Sequence, residues 1–452
     1  MLVAMTLQSA YALVNLVFVT QLGDRAVSAL AITHQAFFVI LAVGQVLGQT
    51  ALADISQAYG RGDLGRAKGT LSTYSLLAIG LGIVTSIAAW LGSEAYLNVF
   101  TDDPEVYKLG VVYFEANAPT FLLQLLIIVF STAVRASGDF VSPMRVMLIS
   151  VILNAALDPI LMFALDMGIA GAGWATVIAQ VVAVGIYALR LGRPARSKPS
   201  APAAPGPAPM DRTLTWGKPI WERDLFRRVF TRGLPAGIQF FLIFVLLGIV
   251  LAGMKSHGPD WTGAAGGGFR ILQQTWLPLV TLASAAAALC GQNYGARQAE
   301  RVAETAAVSL RWGFIFGFAA MALVFLGAPI LAHLAAKGEN QLAHAVTYFR
   351  WSSPMLVAFA LTYIPTFMLQ AVGHSFFPMI AAFVRVGIVA LVTFVIAPMA
   401  GWGPESIFVA MTVASFVEGG LGFFLLKRFL GRLMRSRAEP LATPHEVASL
   451  EA

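Results

Sequence analysis

The sequence predicts an all-α integral membrane protein in which twelve transmembrane helices form two parallel-repeat six-helix bundles. Three observations predict this class. The 452 residues are 58% hydrophobic and only 12% charged, whereas soluble domains are about 45–50% apolar and about 25% charged. Apolar segments of about 20 residues, the length that crosses a bilayer as a helix, recur along the whole chain. Two polar motifs of the first half also return in the second half at one constant offset.

The apolar segments divide into two sets of six. Between the sets, residues 193–224 contain the tract SKPSAPAAPGPAPM, which cannot form a packed core and predicts a flexible linker. We therefore expect an N-terminal lobe (1–192), this linker, a C-terminal lobe (225–431) and a tail (432–452). The twelve helices are predicted near residues 2–20, 27–54, 70–93, 109–134, 143–165 and 169–191, and near 228–254, 263–290, 304–334, 346–371, 377–400 and 404–430.

The basic residues between the predicted helices indicate the orientation. Cytoplasmic loops of membrane proteins carry an excess of Lys and Arg. With a cytoplasmic N-terminus, the outer loops hold only Arg25, Lys108, Lys255 and Lys337. We therefore expect both termini, the linker and the tail in the cytoplasm. The inner loops then hold, besides the basic residues of linker and tail, Arg61, Arg66, Lys68, Arg135, Arg145, Arg297 and Arg301.

The internal repeat is visible in two motifs. Gln57-Ala-Tyr-Gly60 matches Gln292-Asn-Tyr-Gly295, and the segment 136–144 matches 371–379 at the same offset in residue number. Six crossings separate the copies, so the two halves should point the same way across the bilayer, as in parallel-repeat transporters. A carrier that rocks two lobes around a central site needs such a repeat. We expect the Gln-x-Tyr-Gly segments to be cytoplasmic turns that bind their helices together and do not contact the substrate.

Several other classes of protein are disfavoured. The single cysteine, Cys290, excludes an intrachain disulfide and a cysteine-based metal site. The six histidines lack metal-binding spacing, and no converging His, Asp or Ser groups indicate an enzyme, so we expect no cofactor and no metal centre. The net charge of +7 fits membrane topology, so no nucleic-acid partner is expected. No signal peptide is evident, and the first helix lacks a polar flank, which leaves open a natural start upstream of Met1.

Asp158 is the strongest candidate for a functional residue. It lies in the middle of an apolar helix, with Asn154 one turn before it and Pro159 directly after it. An ionisable group at membrane depth costs roughly 2.5–3.5 kcal/mol, which makes it a functional candidate by default. Pro159 has no N–H, so the carbonyl of Ala155 loses its helical partner. The acid, the amide and the free carbonyl could bind a proton or a small cation. The alternative is an aspartate that caps an outer helix end.

Other polar residues in the predicted helices have an equally good packing explanation. Glu418 is mid-span in the last helix, where it either attracts a substrate cation or pairs with a neighbouring helix. Arg270 either faces a cavity or extends to the surface. Gln239 and Gln273 either line a cavity or hydrogen-bond between helices, and Asn15 is either an ion ligand or a packing amide.

The order and spacing of these motifs resemble the multidrug and toxic compound extrusion (MATE) family of cation-coupled antiporters. The resemblance covers the chain except the linker and the last fifteen or so residues. It implies two six-helix lobes in a V around a cavity that opens to either side in turn. It also implies export of small-molecule drugs or organic cations, driven by H+ or Na+, across the inner (plasma) membrane of a bacterium. Nothing in the sequence requires more than a monomer. The motifs that carry it are Gln57-x-Tyr-Gly and its copy at Gln292, Arg135-Ala-Ser-Gly-Asp-x-x-x-Pro, Asn154-x-x-x-Asp158-Pro, and Gly171-Ala-Gly-Trp-Ala-Thr176.

The resemblance also implies roles for particular residues of the N-terminal lobe. Asp158 would be the titrating acid, with Asn154 beside it and Thr176 donating from the next helix. Tyr113 and Ser131 fall where the family places polar groups that line the cavity. The alternative for Tyr113 is a position at the membrane interface, near the outer end of its helix. The first helix departs from the family, because Asn15 stands where an Asp is usual and an amide cannot titrate. A proton site with one acid is therefore favoured over a sodium site with two, and Na+ at Asp158 and Asn154 is the alternative.

The C-terminal lobe departs from the family as well. Leu272 stands where Glu is common after Arg270-Ile271, so the coupling ion is not expected in this lobe. Gln239, Arg270, Gln273 and Glu418 would instead line the substrate cavity. The alternative function is that of a lipid-linked oligosaccharide flippase of related fold, which needs a cavity rich in Arg and Lys. The cationic residues within the predicted spans are essentially Arg270, Arg311, Arg350 and Arg385.

Overall fold

The computed structural model of the protein describes residues 18–192, 214–336 and 338–438. Asn15, nearly all of the predicted first helix and the Pro/Ala-rich tract therefore lie outside the described residues. Helices and short connecting segments account for the described part, which confirms the all-α prediction. Within it, nine helices are long and apolar enough to cross a membrane, and eleven if each of two bent pairs counts as one span. These eleven correspond to the predicted spans other than the first.

The N-terminal lobe is built around α1 and α4. Helix α1 packs against α2, α3 and α4, α4 packs against α2 and α6, and α5 packs along α6. Large buried side chains such as Tyr74 and Leu125 fill the space between them. The six helices of this lobe are α1 (Asp24–Gly60), α2 (Leu64–Phe100), α3 (Pro104–Asn117), α4 (Thr120–Ala136), α5 (Val141–Ala164) and α6 (Gly168–Gly192).

The C-terminal lobe is built around α12, which packs against α8, α9 and α14, while α13 packs against α7 and α14. Tyr348, Phe349 and Phe408 are fully buried in its core. Its helices are α7 (Arg223–Lys255), α8 (Pro259–Gly295), α9 (Ala299–Leu326), α10 (Ala328–Ala335), α11 (Glu339–Ser352), α12 (Met355–Ala371), α13 (Phe376–Ala400) and α14 (Glu405–Ala438). Helix α14 thus continues past residue 431, where the tail was predicted to begin.

The repeat extends to the bends of the helices. The pair α3 and α4 bends by 45°, and the pair α11 and α12 bends by 48°. Each break holds one proline, Pro119 in the first lobe and Pro354 in the second, and these two prolines are related by the same offset as the motifs. Proline has no N–H and its ring clashes with the preceding turn, so it interrupts a helix. The same local chemistry therefore bends the same span in both lobes.

The last part of the linker is fixed to the N-terminal lobe. The Ser72 hydroxyl donates to the Gly217 carbonyl at 2.8 Å, and the Thr73 hydroxyl donates to the Ile220 carbonyl at 2.9 Å. Arg66 of α2 also forms an ion pair with Glu222 at 2.8 Å. Residues 214–222 are therefore held against α2 and do not form a flexible linker. The composition of the linker does not indicate these partners, because they belong to α2.

The two lobes meet along α1. Helix α1 packs against α7 and α8 of the other lobe, and the Phe38 ring of α1 stacks on Phe244 of α7 with centroids 4.0 Å apart. Near the end of α1, the Asp54 carboxylate lies 3.2 Å from Arg228 and 3.8 Å from Arg232, both of α7. The Gln-x-Tyr-Gly turns lie at this same end. Their glutamines bond to the opposite lobe, and the sequence did not predict this contact.

Candidate functional site

Asp158 lies where α5 changes its hydrogen-bonding pattern. The helix is α-helical to Pro159 and then forms a π-helical turn, Ile160–Ala164, in which the Leu165 N–H donates to the Ile160 carbonyl at 2.9 Å. Because Pro159 has no N–H, the regular pattern cannot continue through it. Single π-helical turns within α-helices are frequent at functional sites. The sequence predicted the interruption at Pro159 but not the π turn.

Asp158, Asn154 and Thr176 lie close together, and the side chains of Asp158 and Asn154 are fully buried. The Thr176 hydroxyl, expected to donate to the acid, instead donates to the carbonyl of Ala172 in its own helix at 3.1 Å. The Asn154 amide nitrogen donates to Asp158 at 3.4 Å and lies 3.5 Å from the Thr176 hydroxyl. Exchanging the nitrogen and oxygen of this amide improves the arrangement, since the nitrogen then donates to Asp158 Oδ2 at 3.3 Å and the oxygen accepts from the Thr176 N–H at 3.3 Å. In either orientation Asn154 links the acid on α5 to α6.

Glycines of α6 allow the close approach on which this link depends. A Cβ atom on Gly171 would lie 2.7 Å from the backbone of Leu161 and Met162. A Cβ atom on Gly173 would lie 2.9 Å from the Cβ of Ala116 on α3. Larger residues at these positions would push α6 away from α5 and α3. The run of small residues before Thr176 therefore brings Thr176 close to Asp158 and Asn154.

The surroundings of Asp158 are apolar. Met162, one turn after Asp158, is buried in a hydrophobic cluster that also contains Tyr113, Ile169 and Ala172. Among the described residues, no Lys, Arg or His nitrogen lies within 4 Å of the Asp158 carboxylate. A carboxyl group without a cationic partner in a low-dielectric environment favours its neutral form. The site can therefore hold a proton. Its other polar groups are the Asn154 amide, whose nitrogen faces the acid, and the Thr176 hydroxyl.

Tyr113 and Ser131 are the other described residues that were expected at this site. Tyr113 is buried in the cluster described above. Ser131 donates to the Ile128 carbonyl at 3.2 Å, so this hydrogen bond stays within its own helix. Gln180 of α6, for which the sequence predicted no role, donates to Gln124 of α4 at 3.2 Å. This pair could have been inferred from the sequence, because each of two apolar helices carries one amide side chain.

The candidates of the C-terminal lobe do not form one cluster. Gln239 accepts a hydrogen bond from Gln370 at 2.8 Å, so it joins α7 to α12. Arg270 of α8 is exposed, and Gln273 is half-buried on the same helix. A role for these two residues in the substrate cavity stays a prediction.

Glu418 has a partner that was not predicted from the sequence. Its carboxylate lies 2.8 Å from Arg385 of α13, and the two side chains are only 3% and 5% exposed. Arg385 also keeps a buried Nε without a hydrogen-bond partner in the described part of the chain. Opposite charges at membrane depth pair because either one alone would be costly. Of the two predicted roles for Glu418, the structure favours the pair with a neighbouring helix, and Arg385 is not a free cation for a phosphate group.

The fold and this site define a class of protein, namely a membrane transporter made of two parallel repeats with a buried acid in the first. The MatE family model matches residues 1–160 and 235–395, and the chain therefore belongs to the MatE family of MATE efflux transporters. The two matched ranges correspond to the two lobes, which agrees with the repeat in the sequence.

Similar proteins of known name agree with this assignment. The probable multidrug resistance protein YpnP of Bacillus subtilis is 22% identical over 410 residues, which cover 90% of this chain and 85% of the relative. The multidrug export protein MepA of Staphylococcus aureus is 25% identical over 415 residues, which cover 89% and 86%. The chain is therefore similar over most of its length to bacterial membrane proteins.

Solved structures show the same fold. A transporter of the MOP superfamily from Pyrococcus furiosus superposes with a TM-score of 0.86 at 19% identity, covering 96% of this chain and 94% of that one. A multidrug resistance MATE transporter in an outward-facing conformation gives the same TM-score, identity and coverage. At this identity the likeness supports the fold and not the substrate.

Proposed function

We propose that this chain exports amphipathic, cationic small molecules in exchange for protons, with Asp158 as the coupling acid. The observation that carries the proposal is the complete burial of Asp158 beside Asn154, with no cationic partner among the described residues. The two lobes would rock so that the cavity between them opens to one side of the bacterial membrane at a time. Both termini would face the cytoplasm.

Coupling would arise from competition at the acid. When Asp158 is protonated, the buried site is neutral, and the cost of a buried charge disappears. A substrate cation nearby favours release of that proton, and its departure favours uptake of a new one. The proton and the substrate cation would therefore not occupy the site at the same time, and binding of one would release the other. Asn154 would orient the carboxylate through its hydrogen bond.

Several features support the proton over Na+. Sodium is a hard cation that prefers several oxygen ligands, usually including carboxylates. The described site supplies a single carboxylate with one amide and one hydroxyl. Asn15, which lies outside the described residues, would add another neutral ligand and no charge. Sodium at Asp158 and Asn154 is therefore the alternative that the experiment must separate.

The substrate class follows from the relatives and from the chemistry of the chain. YpnP and MepA are named as multidrug resistance or export proteins. The chain has 31 Phe and 15 Met residues, side chains that adapt to apolar ligands of different shape. The flippase alternative gains nothing from Arg385, because this residue is paired with Glu418. Amphipathic drugs are therefore the substrates to test first.

Transport by reconstituted vesicles tests the proposal. Uptake of a cationic dye is measured under a pH gradient alone and under a sodium gradient alone, for the parent and for Asp158→Asn. We expect dye movement driven by the pH gradient in the parent and its loss in Asp158→Asn. The matched control is Asp166→Asn, because Asp166 is exposed near the same helix end, and Asn tolerates its positive φ of 53°. Normal coupling in Asp158→Asn would refute the role of this acid, and coupling to sodium alone would refute proton exchange.

A further inference from the structure

Two glutamines join the lobes by matching hydrogen bonds. Gln57, near the end of α1, donates from Nε2 to the carbonyl of Ala371 in the other lobe at 2.8 Å. Gln292, near the end of α8, donates to the carbonyl of Ala136 in the first lobe at 2.7 Å. The two donors are related by the offset of the repeat, and so are the two acceptors. Each lobe therefore donates one hydrogen bond to the other and accepts an equivalent one. We call these two hydrogen bonds, from Gln57 and from Gln292, the glutamine clamp.

The acceptors are helix ends that need a donor. Ala136 and Ala371 are the last residues of α4 and α12, and the last four carbonyls of a helix have no partner within it. Both helices end in the same left-handed turn, with φ of +96° at Gly138 and at Gly373. The turn directs the chain away and leaves the two alanine carbonyls to the glutamines of the opposite lobe.

Glycines bring the two backbones into direct contact around the clamp. A Cβ atom on Gly60 would overlap the Gln292 carbonyl oxygen, and one on Gly295 would overlap that of Gln57. A Cβ atom on Gly291 would overlap the Ser56 hydroxyl. Side chains would hold α1 and α8 apart at all three positions. The lobes are therefore closed against each other at this end.

We propose that the glutamine clamp is the gate that closes the cavity at the end expected to face the cytoplasm. The inference rests on the proposed alternating access, since a cavity that opens to this side requires the two lobes to separate here. The bonds suit a gate because water replaces each lost partner, so one bond changes an equilibrium only by roughly two- to tenfold. Because the two bonds are related by the repeat, separation of the lobes breaks both together.

Distances between spin labels measure the gate directly. The sole cysteine, Cys290, is replaced by Ala, and labels are attached at Arg61→Cys and Arg301→Cys, which are exposed at this end of the two lobes. We expect each of Gln57→Ala and Gln292→Ala to raise the ratio of the population at long distance to that at short distance by roughly two- to tenfold. The double variant should raise this ratio by the product of the two single effects. The matched control is Gln298→Ala, an exposed glutamine beside the same turn, which should leave the distances unchanged.

A second pair of variants guards against loss of folding. Gln57→Glu and Gln292→Glu preserve the shape of the side chain but replace the amide donor by a carboxylate, which repels the carbonyl. They should open the gate at least as far as the alanine variants. Distances in both double variants that equal those of Gln298→Ala would overturn the proposal.

The same preparations separate the gate from the proposed function, because the distances do not depend on a substrate. If the double variants open but the parent moves no dye under either gradient, the gate is supported and the proposed exchange is refuted. Unchanged distances in double variants of a parent that does couple dye to protons would refute the gate and leave the exchange intact.

Discussion

Arg385 and Glu418 form an ion pair inside the second lobe, with their side chains 2.8 Å apart and only 5% and 3% exposed. At the corresponding positions of the first lobe, counted back by the offset of the repeat, stand Ser150 and Ala183, which carry no charge. The first lobe instead holds Asp158 without a cationic partner among the described residues. The repeat therefore preserves the backbone of the lobes while their buried charges differ, as expected if the lobes divide the work.

The buried pair is predicted to be structural. Glu418→Gln leaves Arg385 charged and buried, and should lower the free energy of unfolding by about 3–5 kcal/mol. Arg385→Met/Glu418→Leu removes both charges at similar volume and should restore most of the loss. Thermal unfolding in detergent measures the stability of both variants, and dye transport by the double variant tests whether transport survives without the pair. A stable double variant with much weaker substrate binding would instead support Glu418 as a cavity residue.

Close packing of α6 on α5 is predicted to be essential to the site. Gly171→Ala places a methyl group 2.7 Å from the backbone of Leu161 and should cost about 1–3 kcal/mol of stability. It should also weaken proton coupling, because Thr176 moves away from Asn154 and their hydrogen bond is lost. Gly185→Ala on the same helix meets open space and should stabilise the helix by about 0.5–1 kcal/mol. Equal behaviour of the two variants in unfolding and coupling assays would contradict this prediction.

Much of this architecture could be predicted because it depends on local sequence. Apolar length predicted the eleven spans that the structure describes, and the repeat predicted two similar lobes. The spacing of Asn154 and Asp158 predicted their contact, since residues four apart share a helix face. The approach of Thr176 depended on the resemblance to the MATE family. Except for Thr176, these parts needed no knowledge of how distant segments pack.

Features that depend on distant partners could not be predicted in the same way. The bonds of Gln57 and Gln292 to the opposite lobe were not predicted, because nothing in either turn indicates which lobe it contacts. The pairing of Glu418 with Arg385 required the relative rotation of α13 and α14. The docking of residues 214–222 depended on hydroxyls of α2 that lie far away in the sequence. Tertiary packing decides each of these contacts.

The ion pairs of Asp54 are predicted to fasten α7 to the first lobe. Asp54 also accepts a hydrogen bond from Tyr74 at 3.0 Å. Asp54→Asn should lower the stability by about 2 kcal/mol, less than for a fully buried pair because Arg228 and Arg232 reach solvent. Glu222→Gln breaks the exposed pair with Arg66 and should cost under about 1 kcal/mol. Unfolding of both variants in one detergent provides the comparison, and a larger loss in Glu222→Gln would refute it.

Asp139, in the turn between α4 and α5, predicts a dependence of stability on pH. Burial alone would raise the pKa of Asp139, but the hydrogen bonds from Ser142 and the Arg190 guanidinium lower it below its ordinary value of 3.8. A carboxyl whose pKa is lower in the folded state stabilises the fold above the unfolded pKa, and this contribution is lost as the pH falls through the folded pKa. The difference in stability between the parent and Asp139→Asn should therefore be constant above about pH 5 and shrink below the ordinary pKa. Unfolding curves of both proteins from pH 7 down to pH 3 measure this difference, and a difference that grows as the pH falls would show that the ionised form of Asp139 is not the one the fold favours.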